Sequence, residues 1–403
     1  MTPASLSSQA ARPLDGVTIL DFTRVYSGPY ATLLLADMGA RVIKVEHPQH
    51  GDDSRSFGPL VAGTSGYFET LNRGKQSIAV DYRHPDGQKL LRSLATQVDV
   101  VIENFRPGQM AAYGLDYDRL AADSPRLIYV SLSGYGQTGP NAALKCYDVV
   151  AQAASGLMSL TGLTDLPIKT GPAIADAIAG LTAAVGLLGA LWGRERTGRG
   201  RYVDVAMVES VFAVLENALA QYSVTGQIPE RSANQDAVIA PFDCFATRDG
   251  WVALGVGNDR LWRAFAAQIA DGLADDPRFR SNADRVAHYA ALRPLIADWC
   301  ASQPAEGLTA RLQAAGIPCG ALRSIDELAH DPALEARGML AHLALADGTD
   351  LLVPGSPIHF RDTAPPVYRR APALGEHSRV LLEQFGWPAD QVEALMHSGV
   401  VGA

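Results

Sequence analysis

Residues 17–46 read VTILDFTRVYSGPYATLLLADMGARVIKVE, and this stretch decides the fold. The run Val17–Phe22 is rich in β-forming residues, and the turn Ser27-Gly28-Pro29 follows it. Tyr30–Met38 has the composition of a helix that ends at a glycine, and Arg41–Glu46 is a second β-rich run. A strand, a helix and a second strand in this order predict a parallel βαβ unit.

The same alternation of short apolar runs and helical segments continues to residue 132. The further predicted strands and helices are Ser77–Asp81, Asp86–Gln97, Val98–Glu103, Gln109–Ala122 and Leu127–Leu132. Short apolar strands separated by helices predict an α/β fold with a doubly wound parallel, Rossmann-like sheet. Such a sheet places ligand sites in the loops at the carboxyl ends of its strands, here residues 23–29, 47–55, 104–108 and 133–140.

The character of the sequence changes near residue 226. From there to residue 325 it predicts short strands and several helices, enough for a smaller α+β domain with a core of its own. We therefore expect three parts: a large Rossmann-like domain over residues 1–222, a small α+β domain over residues 226–325, and a C-terminal segment over residues 328–403 that returns to the large domain.

Composition argues against several classes of function. The formal net charge of −9 gives no support for nucleic-acid binding. Four widely spaced cysteines and nine scattered histidines predict no metal site and suit a reducing cytoplasm. The segment GYGQTG, residues 134–139, has the wrong glycine spacing for a dinucleotide fingerprint, so neither a nicotinamide nor a flavin cofactor is expected. Residues 1–13 lack the apolar core of a signal peptide, and we expect a cytoplasmic protein.

Asp176 is the only charged residue in GPAIADAIAG, residues 171–180, and no basic residue follows before Arg194. An unpaired ionised carboxylate is costly to bury, so such a residue is usually excluded, protonated or kept for chemistry. Three roles compete: the cap of a helix that begins after Gly171-Pro172, a catalytic carboxylate, or an ionisable group in a membrane helix. The run is rich in Ala and Gly and has no counterpart of its length, which favours a buried helix of a soluble protein over a membrane span. These residues alone do not decide whether Asp176 is a helix cap or a catalytic carboxylate.

Ten short blocks carry a resemblance to a known family. They are Pro13–Gly16, Ser27–Pro29, Gly39–Glu46, Asn72–Ile78, Asn104–Gly108, Gly134–Pro140, Tyr147–Ala153, Arg196–Gly200, Gly316–Gly320 and Ala371–His377. Together, in this order and over nearly the whole chain, they resemble the class III CoA-transferases of the CaiB/BaiF type.

The resemblance implies an enzyme that moves coenzyme A from an acyl-CoA donor to a carboxylic acid. The family's nucleophile is an aspartate in a Gly-rich segment between the Tyr-Asp block and the Arg-Thr-Gly block, and the resemblance assigns that place to Asp176. We expect the reaction to pass through a mixed anhydride and an aspartyl-CoA thioester on this residue. The resemblance also implies an interlocked homodimer of two ring-like chains. Acyl-CoA and the acid are the expected partners, without a nucleic acid or a membrane.

Basic residues at strand ends are the candidates for binding CoA, since a guanidinium or ammonium can bind phosphate there. These candidates are Arg106, Lys75, Arg73, Lys145 and His47. A second set is expected at the acyl and acid pocket, where an arginine would pair with the second carboxylate of a dicarboxylic acid. That set is Tyr26, Tyr147, Arg24, Arg55 and Gly257. The segments 51–59 and 239–245 resemble relatives that use small dicarboxylic acids, but the sequence does not show which acid donates CoA and which accepts it.

Two other functions compete with CoA transfer. An α-methylacyl-CoA racemase of the same family needs an acid/base pair, and such relatives carry a histidine where this chain has Tyr147. A tyrosine is a poor base at neutral pH, so the transferase is favoured. A non-catalytic CoA-binding protein is the alternative from another class, and the retained Asp176 counts against it.

Overall fold

The computed structural model describes residues 11–61 and 63–402, and the first half of this range alternates strands with helices. In chain order, these elements are β1 (Thr18–Asp21), α1 (Ser27–Asp37), β2 (Arg41–Glu46), a 3₁₀ turn (Asp53–Ser56), β3 (Leu60–Val61), β4 (Thr64–Ser65), α2 (Gly66–Asn72), β5 (Gln76–Val80), α3 (Pro85–Ala95), β6 (Val100–Glu103), α4 (Gln109–Ala112), α5 (Tyr117–Asp123), β7 (Ile128–Ser133), α6 (Asp148–Ala154), α7 (Leu157–Leu160), β8 (Gly162–Leu163), β9 (Leu166–Pro167), α8 (Ile174–Thr197), β10 (Tyr202–Ala206) and α9 (Met207–Phe212).

The second half is richer in helices. Its elements are α10 (Ala218–Thr225), β11 (Phe242–Ala246), β12 (Trp251–Gly255), α11 (Asp259–Ile269), a 3₁₀ turn (Leu273–Asp275), α12 (Asn282–Ala287), α13 (Tyr289–Ala301), α14 (Ala305–Ala314), β13 (Cys319–Ala321), α15 (Ile325–Ala329), α16 (Pro332–Ala336), β14 (Leu340–Ala344), β15 (Asp350–Pro354), α17 (Ser378–Gln384), α18 (Ala389–His397) and β16 (Val401–Gly402).

A seven-stranded sheet in the order β10-β7-β6-β1-β2-β5-β16 forms the centre of the fold. Every neighbouring pair in it is parallel except β5 and β16, which run antiparallel. The first strand is therefore central: the chain builds one side of it with β2 and β5, then crosses to the other side with β6, β7 and β10. A crevice opens at such a switch point, beyond the carboxyl ends of β1 and β6. The mainly parallel α/β sheet confirms the predicted class of fold.

Successive residues of a strand point to opposite faces, and here both faces are covered. Ile19 belongs to an apolar core with α1, α8 and α9, whereas its neighbour Leu20 belongs to a core with α3 and α17. Both side chains are fully buried. Helices on both faces explain why these strands are nearly continuous apolar runs.

The chain folds into two compact units. The described residues of Met1–Leu157, Thr170–Leu219 and Pro332–Ala403 form the first unit, which holds the central sheet. Met158–Lys169 and Ala220–Asp331 form the second, in which the antiparallel sheet β11-β12-β13 packs with helices around Trp262 and Phe265. The domain boundaries expected from the sequence, 1–222, 226–325 and 328–403, stay predictions.

Three predicted helices differ from the observed ones. Gln109–Ala122 is two helices, α4 and α5, because Gly114 adopts a φ of 69° between them. The sequence also predicts single helices from residue 208 to about 222 and from residue 284 to 302. The structure divides the first into α9 and α10 and the second into α12 and α13. In each case the apolar pattern runs across a break in the backbone.

Helix α8 carries Asp176 and is the one helix of the described range that is long and apolar enough to cross a membrane. Length and composition alone are weak evidence, since the core helix of a soluble protein passes the same test. One face of α8 is fully buried in the first unit through Ala175, Ala179, Ala183 and Leu187. The opposite face is exposed.

Candidate active site

A cleft of about 670 Å³ lies at the switch point of the sheet, and all of its lining residues belong to the first unit. The loop after β1 contributes residues 24–27, and the loop after β6 contributes residues 104–107. Six of the residues predicted for the site line this one cleft: Asp176, Arg24, Arg106, Lys145, Tyr26 and Tyr147. The structure thus brings together side chains that are up to 152 positions apart in the sequence, from 24 to 176.

Asp176 is the third residue of α8, in the first helical turn. The N-cap position is Ala173, which has no side chain to cap the helix, and Asp148 of α6 does so instead. The Asp148 carboxylate accepts hydrogen bonds from the backbone N–H groups of Ala175, at 2.8 Å, and of Asp176, at 3.3 Å. The cap role considered for Asp176 is therefore filled by Asp148, and the Asp176 carboxylate is left for other contacts.

The hydroxyl of Ser27, the first residue of α1, is close enough to the Asp176 carboxylate to interact with it and lower its pKa. The two helices can approach this closely because Gly180, one turn further along α8, has no side chain. A Cβ at Gly180 would stand 2.5 Å from the carbonyl oxygen of Ser27. The small residues around Asp176 thus let α1 bring a hydrogen-bond donor to the carboxylate.

The pKa of Asp176 is raised to about 6, first by burial and then by the nearby charge of Asp148, while the Ser27 hydroxyl lowers it. Just above that pH the carboxylate is ionised but only weakly stabilised by its surroundings. An anion of this kind is a better nucleophile than a solvated aspartate, and pKa values shifted in this way are typical of functional sites.

Positive side chains face the cleft without internal partners. Within the described ranges, the exposed side chains of Arg106 and Lys145 make no hydrogen bond or ion pair. Arg24 pairs with Asp53 at 2.5 Å, but its buried Nε has no partner, and neither has the buried Oγ of Ser133. Buried polar atoms without partners at a cleft are typical of a site that binds a polar ligand.

Lys75 and Arg73 do not line the cleft. The ammonium group of Lys75 is fully buried and uses all three of its donors inside the protein, on Asp21, the carbonyl of Pro29, and Asn72. The Arg73 guanidinium pairs with Asp37 at 2.7 Å and lies over the ring of Tyr368. Lys75 thus has no donor left for a phosphate, and of the Arg73 guanidinium only the buried Nε is without a partner among the described residues. The CoA-binding role expected for both residues stays a prediction.

Arg55 also has a structural role. Its guanidinium forms two hydrogen bonds of 2.7 Å with Glu46 and lies 3.9 Å from the ring centre of Phe68. It does not line the cleft, so it is not available to a substrate carboxylate there.

His47 and Gly257 stand in different surroundings. His47 lines a narrow recess with Arg24 and Phe105, both of which also line the cleft. Gly257 follows β12 in the second unit. The roles expected for both residues stay predictions.

Two tyrosines of the cleft were expected, and a third residue near Asp176 was missed. Tyr26 lines the cleft, and burial raises the pKa of its hydroxyl, as do Tyr30 and Asp176. Tyr147 lines it too, with a highly exposed side chain. Tyr67 of α2 was not singled out, although burial and the charge of Asp176 raise its pKa and its ring contacts that of Tyr26. No sequence pattern marks Tyr67, because only the packing of α2 against α1 brings it there.

Within residues 11–61 and 63–402, no group of three or more His, Cys, Asp and Glu side chains is placed to hold a metal ion. The side chain nearest in chemistry to a second nucleophile is Cys146, which lines the cleft. Burial and the charges of Asp176 and Asp148 raise the pKa of its thiol to about 11, so it is protonated at neutral pH.

Comparisons with known proteins show to which family the chain is similar. The family model described as CoA-transferase family III matches residues 14–378. An acetyl-CoA:oxalate CoA-transferase of Acetobacter aceti is 40% identical over 380 residues, which cover 93% of this chain and 96% of that protein. A succinate–glutarate CoA-transferase of Agrobacterium fabrum is 39% identical, with the same coverage of 93% and 96%. The crystal structure of a CAIB/BAIF family protein from Brucella suis is 37% identical, covers 93% of this chain and 100% of its own, and has a TM-score of 0.83.

Proposed function

The chain belongs to CoA-transferase family III, and from that premise we propose that it moves coenzyme A from an acyl-CoA to a small dicarboxylic acid by covalent catalysis on Asp176. One observation carries the proposal: a carboxylate with a raised pKa shares one cleft at the switch point of the sheet with Arg106 and Lys145, which pair with no other described residue. A carboxylate nucleophile and phosphate-binding cations are what transfer of CoA between acids requires.

The first half of the reaction loads the enzyme. An oxygen of the Asp176 carboxylate attacks the thioester carbonyl carbon of the donor, the C–S bond breaks, and CoA leaves as a thiolate. The product is an anhydride of Asp176 and the donor acid. The thiolate then attacks the aspartyl carbonyl carbon, the C–O bond of the anhydride breaks, and the donor acid leaves as a carboxylate. An aspartyl-CoA thioester remains on Asp176.

The second half runs the same steps in reverse with the acceptor. The acceptor carboxylate attacks the aspartyl thioester, the thiolate is released, and a second anhydride forms. Attack of the thiolate on the acceptor's carbonyl carbon then gives the new acyl-CoA and returns Asp176 as a carboxylate. CoA must stay bound throughout, which is the role we assign to Arg106 and Lys145 as partners of its phosphates. We assign the adenosine part to His47, which lines a narrow recess with Arg24 and Phe105.

A dicarboxylic acid is the proposed acceptor. The relatives reported above are named for oxalate, succinate and glutarate, which are all dicarboxylic acids. The second carboxylate of such an acid needs a cation, and Arg24 is the candidate because it lines the cleft with an unpartnered Nε. Tyr26 and Tyr147 are the proposed walls for the rest of the acid.

The assay that tests the function is product analysis by mass spectrometry. The enzyme is incubated with acetyl-CoA or succinyl-CoA and a panel of mono- and dicarboxylic acids, and each new acyl-CoA is quantified. We expect the fastest transfer to a dicarboxylic acid and none by Asp176→Ala. Absence of transfer with every pair, together with solvent deuterium uptake at the α-carbon of a methylacyl-CoA, would indicate a racemase instead.

We also propose that the enzyme is a homodimer in the cytoplasm. Leu181, Val185 and Trp192 are spaced along one face of α8, and their side chains are 47%, 69% and 69% exposed. An apolar stripe of this kind is typical of a surface that a partner covers. Four free cysteines accord with a reducing compartment.

A further inference from the structure

The backbone of Val25 has a φ of 67°, a left-handed conformation that a β-branched residue rarely adopts. Val25 stands between Arg24 and Tyr26, which both line the cleft, and two residues before Ser27, the partner of Asp176. A residue remains in such a conformation only where its surroundings impose it, because the conformation itself costs free energy.

Asp52 imposes it. The backbone N–H of Val25 donates to both carboxylate oxygens of Asp52, at 3.1 and 3.2 Å. The Asp52 side chain is fully buried and pairs at 2.8 Å with the equally buried ammonium group of Lys44. The same ammonium donates to the carbonyl oxygen of Thr23 at 2.7 Å. The ion pair therefore holds the backbone on both sides of Arg24.

Two more side chains complete the arrangement. Asn104 binds the backbone N–H and the carbonyl of Arg24, both at 2.9 Å, and Asp21 accepts from the N–H of Thr23 at 2.8 Å. Five successive backbone groups from the N–H of Thr23 to the N–H of Val25 are thus bound by four side chains. The loop's shape comes from these side chains, since it belongs to neither a strand nor a helix.

We propose that Asp52 and Lys44 are positioning residues for the transfer reaction: by holding Val25 in its left-handed conformation, they direct Arg24, Tyr26 and Ser27 into the cleft. A change of Val25 to an extended backbone would redirect the chain after it and separate Ser27 from Asp176. The proposal rests on the proposed function for its kinetic readout. A buried ion pair alone is weak evidence of such a role, so the test must separate positioning from stability.

Val25→Pro and Val25→Gly test the conformation directly. Proline fixes φ near −65° and removes the N–H that Asp52 binds, whereas glycine keeps the N–H and adopts positive φ freely. We expect Val25→Gly to retain kcat within about threefold, and Val25→Pro to lose on the order of 100-fold in kcat with a smaller change in KM for acyl-CoA. A fully active Val25→Pro enzyme would overturn the proposal.

Asp52→Asn tests the ion pair. The double variant Asp52→Asn/Val25→Gly tests whether the ion pair acts through the backbone conformation of Val25. The amide keeps the shape of Asp52 but not the charge that holds Lys44, and we expect kcat to fall about tenfold or more. Glycine needs no help to adopt a positive φ, so the same substitution should cost at least threefold less in the Val25→Gly background. An equal loss in both backgrounds would mean that Asp52 only stabilises the fold.

The pH–rate profile gives a readout that a loss of stability alone would not move. Loss of the Ser27 contact in Asp52→Asn should move the acid limb of the pH–rate profile to higher pH, because the Ser27 hydroxyl lowers the pKa of Asp176. The other groups whose charges couple with Asp176 are Asp148, Tyr26, Tyr67 and Cys146, and the substitution leaves them all in place. If kcat falls but the acid limb of the profile stays at the same pH, the proposal is contradicted.

Hydrogen exchange separates this proposal from the proposed function. If the wild-type enzyme transfers no CoA, the function fails, but the exchange of a peptide over residues 23–27 still reports on the loop. We expect this peptide to exchange faster in Asp52→Asn than in the wild type, while peptides of the central sheet exchange as in the wild type. Unchanged exchange would overturn the positioning role whatever the reaction is.

Discussion

The surroundings of Asp176 act on its pKa in opposite directions. Burial and Asp148 raise its pKa, which makes the carboxylate a stronger nucleophile, while the Ser27 hydroxyl lowers it and keeps the group ionised at neutral pH. Asp148 has a second role, because its carboxylate caps the helix on which Asp176 stands. One neighbour therefore fixes the position of the proposed nucleophile and raises its pKa.

The pH dependence of loading should report this balance. In the proposed mechanism the Asp176 anion is the nucleophile, so the rate of adduct formation should fall below pH 6, about tenfold per pH unit. Ser27→Ala should move this acid limb of the pH–rate profile to higher pH, because it removes the hydroxyl that lowers the pKa of Asp176. The measurement is the single-turnover reaction with acyl-CoA alone, in which no free acid titrates. A limb that stays near pH 4 would contradict the raised pKa.

Asp176→Asn should abolish transfer and stabilise the fold at pH 7. Folding raises the pKa of this acid from about 3.8 to about 6, so the native state loses stability as the pH rises through that window. Removal of the charge should recover about 2 to 3 kcal/mol at pH 7 and nothing below pH 4. Chemical denaturation at the two pH values checks this, and a variant less stable than the wild type at pH 7 would contradict it.

Arg106→Ala should weaken CoA binding without a change in acid preference. Its guanidinium is exposed, faces the cleft and has no partner in the described ranges, so a ligand phosphate is its expected contact. A loss of roughly tenfold in affinity is expected by calorimetry, as for a charge-assisted hydrogen bond. Arg199→Ala, at the exposed end of α8, is the matched control. An altered acid preference with unchanged CoA affinity would assign Arg106 to the acid pocket.

The sequence identified Asp176, Arg24, Arg106, Lys145, Tyr26 and Tyr147 as site candidates, and the structure places all of these in one cleft. The sequence alone could not distinguish these six residues from Lys75, Arg73 and Arg55, which do not line the cleft. A basic residue near a strand end can face a ligand or a buried carboxylate, and the carboxylate that decides the matter for Lys75 is 54 residues away. Only the folded chain shows which partner is present.

At the scale of elements, the contact between α1 and α8 assembles the site. Gly180→Ala should place a Cβ against the carbonyl oxygen of Ser27, 2.5 Å away, and force the helices apart. We expect a loss of about 1 to 3 kcal/mol in stability and at least tenfold in kcat, since Ser27 leaves Asp176.

The control for this variant lies in the same helix. At Gly193 a Cβ would meet only the Arg201 side chain, at 3.5 Å, so Gly193→Ala should stabilise α8 by up to about 1 kcal/mol. Thermal melting and steady-state kinetics compare the two variants. Equal effects of both would mean that the close approach at Gly180 has no part in the reaction.

Strands were easier to predict than the ends of helices. Arg41–Glu46 has the predicted bounds, because Val42, Ile43 and Val45 are β-branched and a glycine and a proline flank the run at residues 39 and 48. The pair β14 and β15 and the last strand, Val401–Gly402, were missed. The last strand has two residues and is stabilised by pairing with β5 some 320 positions earlier, which no local pattern reveals.

At the scale of the whole molecule, the order of the strands makes the site. The loops after β1 and β6 lie side by side because β2 and β5 are on one side of β1, whereas β6, β7 and β10 are on the other. The sequence predicted the class of sheet and that its loops hold the ligand. The order of the strands depends on which pairs bury the most apolar surface, and the sequence alone does not reveal it.

The exposed stripe on α8 predicts the state of assembly. The wild type should have the mass of a dimer at micromolar concentration by light scattering. Trp192→Asp should shift it toward the monomer, because a charge replaces an apolar side chain that is 69% exposed in the single chain. A monomeric wild type would remove the support for an interlocked dimer.

The most direct test of covalent catalysis is to trap the loaded enzyme. The protein is incubated with acetyl-CoA or succinyl-CoA, treated with hydroxylamine, and examined by intact-mass and peptide-mapping mass spectrometry, with Asp176→Asn as the control. The account predicts a hydroxamate on Asp176 in the wild type alone, since hydroxylamine attacks an aspartyl anhydride or thioester. Transfer of CoA without any adduct on Asp176, or an adduct on another residue, would contradict it.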